Sequence, residues 1–81
     1  MSYNGWKNWE TWNVALWIGN DEGMYRLARS FSSEERPYES FVKALKDAGE
    51  GSAIAFQTPD GVAWNDSGLD IDALNEMIEE L

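Results

Sequence analysis

Carboxylates dominate the side chains of this sequence that can take part in chemistry. The chain has 15 Asp and Glu residues, six Lys and Arg residues, and neither histidine nor cysteine. Nucleophilic catalysis by a Ser–His or Cys–His pair is therefore excluded in its usual form, as are the usual zinc sites. Paired carboxylates catalyse proton transfer when a cleft raises the pKa of one of them, but these acids fall mainly at predicted helix starts and on solvated faces. The residue types thus predict no catalytic residue, no metal site and no cofactor.

One acidic segment, residues 65–72 (NDSGLDID), is superficially similar to a calcium-binding loop. It lacks the regularly spaced oxygen ligands, the glycine at the sixth position and the closing bidentate glutamate that such a loop requires. We interpret it as a turn followed by a helix cap at Asp70. The glycines of the chain do not form a phosphate-binding pattern either. A small enzyme or metal-binding protein that uses carboxylates alone is kept as a third hypothesis.

The second candidate feature is an aromatic N-terminal segment, residues 3–22 (YNGWKNWETWNVALWIGNDE), which holds four of the five tryptophans. On a helical wheel one arc, broken only by Asn13, carries Trp9, Trp12, Leu16 and Trp17, whereas the other side carries Val14, Ala15 and Ile18. A helix that is apolar almost all round should be central, so we expect this aromatic arc to be core. The alternative is an aromatic patch exposed for a partner, for which Trp6 and Trp17 are the best candidates.

Start and stop signals place about four helices along the chain. Asn8 is the predicted cap of a first helix that begins near Trp9, and Gly19-Asn20 would end it in the left-handed conformation. Asp21 is the predicted cap of a second helix, whose apolar stripe is Met24, Leu27, Ala28 and Phe31. Pro37 marks the start of a third helix that runs to about Ala48. Asp70 is the predicted cap of a last helix that runs to Leu81.

A short β-hairpin is predicted before the last helix. Residues 53–58 (AIAFQT) and 62–64 (VAW) flank the turn signal Pro59-Asp60-Gly61. Two strands alone are marginal, so Phe56 and Trp64 should rest on the helices. The predicted fold class is α+β, mostly α: a small single domain over residues 1–81 with about four helices and a short hairpin, and with residues 1–5 as a flexible N-terminus.

The charge of the chain is strongly negative and unevenly distributed. The formal net charge is −9, and from Gly51 onward there are seven acids and no base. Nucleic acid and membrane phosphates should repel such a chain, whereas basic protein surfaces should attract it. No apolar run approaches the about 20 residues of a membrane span, and the N-terminus lacks a signal-peptide pattern. We expect a cytoplasmic protein with a protein partner, without direct nucleic-acid or membrane binding; the oligomeric state stays open.

Several motifs carry a resemblance to a known group of proteins. Residues 3–12 (YNGWKNWETW), Leu16-Trp17 and 20–22 (NDE) form an N-[WY]-E-T-W…LW…N-[DE] segment, and residues 58–64 (TPDGVAW) and the acidic terminal helix add to it. The chain resembles small acidic proteins from phages, plasmids and their microbial hosts. This resemblance covers most of the chain and implies a mobile-element setting, that of an accessory or host-directed binding protein, and no catalytic residue.

The leading functional hypothesis is therefore a non-enzymatic protein-interaction module that binds through its aromatic surface or its acidic face. Its candidate partner-binding residues are Trp6, Trp9, Asn13, Trp17, Asp66, Asp70, Asp72, Glu76, Glu79 and Glu80. The alternative is a DNA mimic that inhibits a restriction enzyme or another DNA-binding protein by occupying its DNA site. The net charge motivates this alternative, although extended mimics need more carboxylates in regular rows than the sequence shows.

Overall fold

Four α-helices make up more than half of the described chain. The computed structural model describes residues 3–49 and 55–81. The helices are α1 (Trp9–Asn20), α2 (Glu22–Arg29), α3 (Pro37–Ala48) and α4 (Ile71–Glu79). Helix α1 packs against α2 and α4, and α3 packs against the same two helices. The prediction of a small, mostly helical domain with four helices is confirmed.

Three predicted side-chain caps are present at the helix starts. Asn8 Oδ1 accepts a hydrogen bond from the Thr11 N–H group at 2.9 Å, and Asp21 and Asp70 accept corresponding bonds at the starts of α2 and α4. The predicted left-handed end of α1 at Gly19-Asn20 is wrong. The helix continues through both residues to Asp21, whose φ of −93° is extended. Because Asp21 ends α1 and also caps α2, the two helices need no separate stop signal.

Helix α3 begins without a cap of its own. The residue before it, Arg36, makes no side-chain capping hydrogen bond, and Pro37 occupies the first turn. The free N–H group of Tyr38 instead donates to Asn75 Oδ1 of α4 at 2.8 Å. A side chain of one helix thus satisfies the backbone of another, which fixes α4 against the start of α3.

Residues 55–64 reverse the chain direction but do not form a confirmed hairpin. Among the described residues the segment contains one isolated antiparallel bridge, Gln57 with Ala63, and no strand. Residues 53 and 54 of the predicted first strand lie outside the described residues. Phe56 is 57% exposed and does not belong to the buried core, so its contact with the helices stays a prediction, whereas Trp64 is buried as expected.

The core contains the aliphatic side of α1 and not its aromatic arc. Val14 and Ile18 are fully buried, whereas Trp12 and Trp17 are only partly buried and Trp9 is 39% exposed. The expectation that the tryptophan arc is core is therefore wrong. Because α1 is apolar on both sides, the pattern did not determine which side faces α2 and α4.

A tight turn precedes α1. The backbone groups of Tyr3 and Trp6 exchange two hydrogen bonds, and Asn4 and Gly5 have φ values of 49° and 88°. Glycine adopts such angles without strain. The turn brings the Tyr3 ring against Trp12 with a centroid separation of 4.9 Å. The flexibility of residues 1–5 stays a prediction.

An aromatic group at the centre of the core joins α3 to the segment before α4. The rings of Phe41 and Trp64 meet edge to face with centroids 5.7 Å apart. The Tyr38 hydroxyl donates to the buried backbone carbonyl of Trp64 at 2.6 Å. Burial raises the pKa of Tyr38. The neutral phenol is therefore the form that the fold stabilises.

We expect Tyr38→Phe to lower the free energy of unfolding by about 1–3 kcal/mol, because the buried Trp64 carbonyl loses the Tyr38 hydroxyl as a donor. The pKa of Tyr38 in the folded state lies above its value of about 10 in the unfolded chain. The neutral Tyr38 side chain therefore stabilises the fold below pH 10, and this stabilisation is lost as the pH rises further. Urea unfolding at pH 7 and pH 11 measures both effects. Tyr25→Phe is the matched control, and an equal loss in both variants would contradict the assignment.

Candidate functional site

A cavity of about 310 Å³ lies between the N-terminal turn and α4. Trp6 and Met77 provide its apolar lining, and the carboxylates of Glu76 and Glu80 also line it. The turn positions Trp6 through the two backbone hydrogen bonds with Tyr3. Glu76 and Glu80 stand four residues apart, which places them on neighbouring turns of one side of the helix. Three residues predicted as partner-binding, Trp6, Glu76 and Glu80, are thus brought together.

The charge of this cavity is uncompensated within the described part of the chain. Neither Glu76 nor Glu80 has an ion-pair partner among residues 3–49 and 55–81. Both carboxylates are exposed, whereas Trp6 is partly buried against the core. An indole ring attracts a cation to its face, and carboxylates attract it by charge. The cavity therefore has the chemistry to hold a basic side chain.

Asn13 and Trp17 belong to a different group of side chains, which we call the Asp60 cluster: Asn13, Trp17, Thr58 and Asp60. Asn13 Nδ2 donates to Asp60 Oδ2 at 2.7 Å, and the Thr58 hydroxyl donates to Asn13 Oδ1 at 2.7 Å. The Trp17 indole N–H group also donates to Asp60 Oδ2, at 2.9 Å. Asn13 and Thr58 are both 1% exposed. Asn13 is consequently a structural residue that fastens the 58–60 turn to α1.

The hydrogen bonds of the Asp60 cluster also change the pKa of the Asp60 carboxyl group. The bond from Asn13, followed by that from Trp17, lowers the pKa of Asp60. Both donors stabilise the ionised carboxylate. The Val62 N–H group donates to the Thr58 hydroxyl, which extends the cluster to the far side of the turn. The functional role predicted for Trp17 is thus accompanied by a structural one.

The two acids predicted near the start of α4 are used by the backbone. Asp66 Oδ1 accepts the Gly68 N–H group at 2.7 Å, and Asp70 caps α4. Asn8 Nδ2 donates to the Gly68 carbonyl at 2.7 Å, and the Thr11 hydroxyl accepts the Asp70 N–H group at 3.1 Å. The segment before α4 is therefore held on the start of α1. A turn and a cap explain Asp66 and Asp70, as the sequence indicated.

The remaining predicted residues lie on the surface. Trp9 is the most exposed of the tryptophans, and the Tyr3–Trp12 pair belongs to the same end of α1. Asp72 and Glu79 are exposed on α4 and do not line the Trp6 cavity. Met77, which the sequence placed beside the apolar face of α4, is a cavity residue that the prediction missed. The sequence signal for this position is the i, i+3, i+4, i+7 spacing of residues 73, 76, 77 and 80, which lie on one face of a helix.

The described residues contain neither a carboxylate cluster suited to a metal ion nor a helix suited to span a membrane. No three Asp or Glu side chains converge there as a metal ion would require. None of the helices there has the length and apolar character of a membrane-spanning helix.

Comparison with known families gives a match over the whole sequence. The model of a family of unknown function, DUF7249, matches residues 1–81. The chain belongs to the DUF7249 family. The match includes both the Trp6 cavity and the Asp60 cluster, because it extends over the whole sequence. No curated protein and no solved structure matches this DUF7249 chain.

We expect Asn13→Asp to destabilise the fold by about 2–3 kcal/mol at pH 7, because it places a buried carboxylate beside that of the exposed Asp60 and removes a donor. The double variant Asn13→Asp with Asp60→Asn should recover most of this loss. The exchange removes the repulsion between two carboxylates and returns an amide donor to the new carboxylate at position 13. Urea unfolding of the single and double variants tests the coupling, and additive effects would contradict it.

The lowered pKa of Asp60 predicts a specific pH dependence. The Asp60 carboxylate contributes to the free energy of unfolding at pH values above its pKa in the unfolded chain, which is about 3.9. This contribution is lost as the pH falls through the lower pKa of Asp60 in the folded state. We therefore expect the stability difference between the wild type and Asp60→Asn to shrink below about pH 4. Thermal unfolding between pH 6 and pH 2.5 measures it, and Asp47→Asn is an exposed control. A constant difference across this range would refute the prediction.

Proposed function

We propose that this chain is a non-enzymatic protein-interaction module that takes a basic side chain of its partner into the Trp6 cavity. The observation that supports the proposal is the convergence of Trp6 and Met77 with two unpaired carboxylates around one cavity. A lysine or arginine chain has an apolar stem and a charged end. The stem would contact Trp6 and Met77, and the charge would lie near Glu76 and Glu80.

The surroundings of the cavity suit a protein surface better than a free ion. The Tyr3–Trp6 turn joins the cavity to the Tyr3–Trp12 ring pair, so aromatic area continues beyond the cavity. Aromatic residues are enriched where protein interfaces bind most strongly. The net charge of −9 would in addition speed the approach of a basic partner. The resemblance to proteins of phages and plasmids adds the proposal that the partner is a host or phage protein.

A DNA mimic is the second candidate, and a row of acids on α4 favours it. Asp72, Glu76 and Glu79 of α4 and the next residue, Glu80, extend over nine residues, or about 12 Å. Duplex DNA has about seven charges over that length, against these four. The row therefore has too few charges for an extended imitation of DNA. The binding of a partner's basic side chain in the Trp6 cavity is therefore the preferred function.

Matched double variants of α4 distinguish the two candidates. Glu76→Gln with Glu80→Gln removes two charges from the Trp6 cavity, and Asp72→Asn with Glu79→Gln removes two charges from the same helix outside it. We expect the first pair to weaken binding of a partner captured from the host about tenfold and the second pair to change it by less than about twofold. Quantitative capture followed by titration of the purified partner provides the measurement.

Equal losses of partner affinity in the two double variants would indicate binding by a general acidic surface and would contradict the proposal that the Trp6 cavity holds the partner's side chain. Trp6→Leu supplies a further test, because it removes the indole face without changing the charge.

A small probe makes the test independent of partner identity: a short peptide with one central lysine should shift the Trp6 indole resonance in NMR spectra. Its norleucine counterpart should not, since it lacks the ammonium group.

A further inference from the structure

A second, larger cavity of about 610 Å³ lies between α3 and the segment that leads into α4. Its apolar lining includes Val42, Leu69 and Ile71, together with the edges of the buried Tyr38 and Trp64 rings. Ile71 is 39% exposed, although it belongs to the apolar side of α4. The volume is in the range of about 300–1,000 Å³ that is typical of small-molecule sites.

Two lysines line this second cavity, which we call the groove. Lys43 and Lys46 stand three residues apart on α3 and are both exposed. Neither has an ion-pair partner among the described residues, whose two ion pairs involve Arg26 and Arg36. Two of the six basic residues of the chain thus stand unpaired on the α3 side of one apolar groove.

The two acids of the groove are not paired with these lysines. Glu39 forms its ion pair with Arg36, at 3.8 Å. Asp66, which belongs to the segment before α4, keeps its negative charge, and its Oδ1 accepts the Gly68 N–H group at 2.7 Å. The α3 side of the groove therefore offers two unpaired ammonium groups to a ligand, whereas the opposite side holds a carboxylate that already binds the backbone.

We infer that this groove binds a small organic anion with an apolar, ring-sized body. The body contacts Val42, Leu69 and Ile71, and the anionic group lies at the rim near Lys43 and Lys46. The apolar contacts supply most of the binding free energy, whereas the two lysines select the anion over a neutral analogue. This site is separate from the Trp6 cavity, with which it shares no lining residue.

Two probes of nearly identical shape test the inference. Anilinonaphthalene sulfonate is anionic, and phenylnaphthylamine is its neutral counterpart. The wild type should bind one sulfonate per chain at low salt, and more tightly than it binds the neutral probe. Lys43→Gln with Lys46→Gln should weaken sulfonate binding about five- to twentyfold and leave the neutral probe unchanged. Ile71→Asp should weaken both probes, because it places a carboxylate in the apolar lining.

The control variants separate this site from the rest of the molecule. Lys7→Gln removes a lysine outside the groove and should change sulfonate affinity by less than about twofold. Glu76→Gln with Glu80→Gln should likewise leave it unchanged. Amide shifts in NMR spectra should centre on Val42, Leu69 and Ile71. Unchanged sulfonate affinity in the Lys43 and Lys46 double variant, equal wild-type affinity for both probes, or amide shifts elsewhere would each overturn the inference.

Discussion

The side-chain amide of Asn13 is the constraint on which the arrangement of α1 depends. It is buried, so both its donor and its acceptor need partners, and Asp60 and Thr58 supply them. A buried amide without those partners would cost about 1–3 kcal/mol. The 58–60 turn must therefore lie over this side of α1. Once that side is covered by polar groups, Val14 and Ile18 on the opposite side become the surface that packs on the other helices.

The position of the tryptophans follows from the same constraint. Between the side covered by the turn and the aliphatic side in the core, α1 leaves an arc that no helix covers completely, and Trp9 lies there. Trp17 is at the border, where its ring packs against the core and its N–H group binds Asp60. A ring with an apolar body and one polar atom is suited to such a border. Tryptophan enrichment in this chain thus marks the edge of the core, and the deepest indole is that of Trp64.

The helix starts could be predicted from the sequence, but the end of α1 and the distant partners of the polar residues could not. The caps at Asn8, Asp21 and Asp70 depend on groups three residues away, so the sequence contains the whole interaction. The partners of Asn13 are 45 and 47 residues distant, and no local pattern identifies them. The wheel of α1 gave two apolar arcs of similar strength, and only this distant contact selects the buried one. The Trp6 cavity was likewise predicted as separate residues, because its shape depends on how the turn meets α4.

The two proposed sites can coexist on one acidic chain because their charges act over short distances. The Debye length at physiological ionic strength is about 8 Å. Glu79 lies eight residues beyond Ile71, about 12 Å along α4, so its charge is largely screened at the groove. Lys43 and Lys46, in contrast, line the α3 side of the groove itself, and Asp66 lies on its other side. In the two proposals, net charge acts on the approach of a partner, whereas the pairing of individual side chains acts on what each cavity accepts. The proposed selection of a cation at Trp6 and of an anion beside α3 is therefore compatible with a net charge of −9.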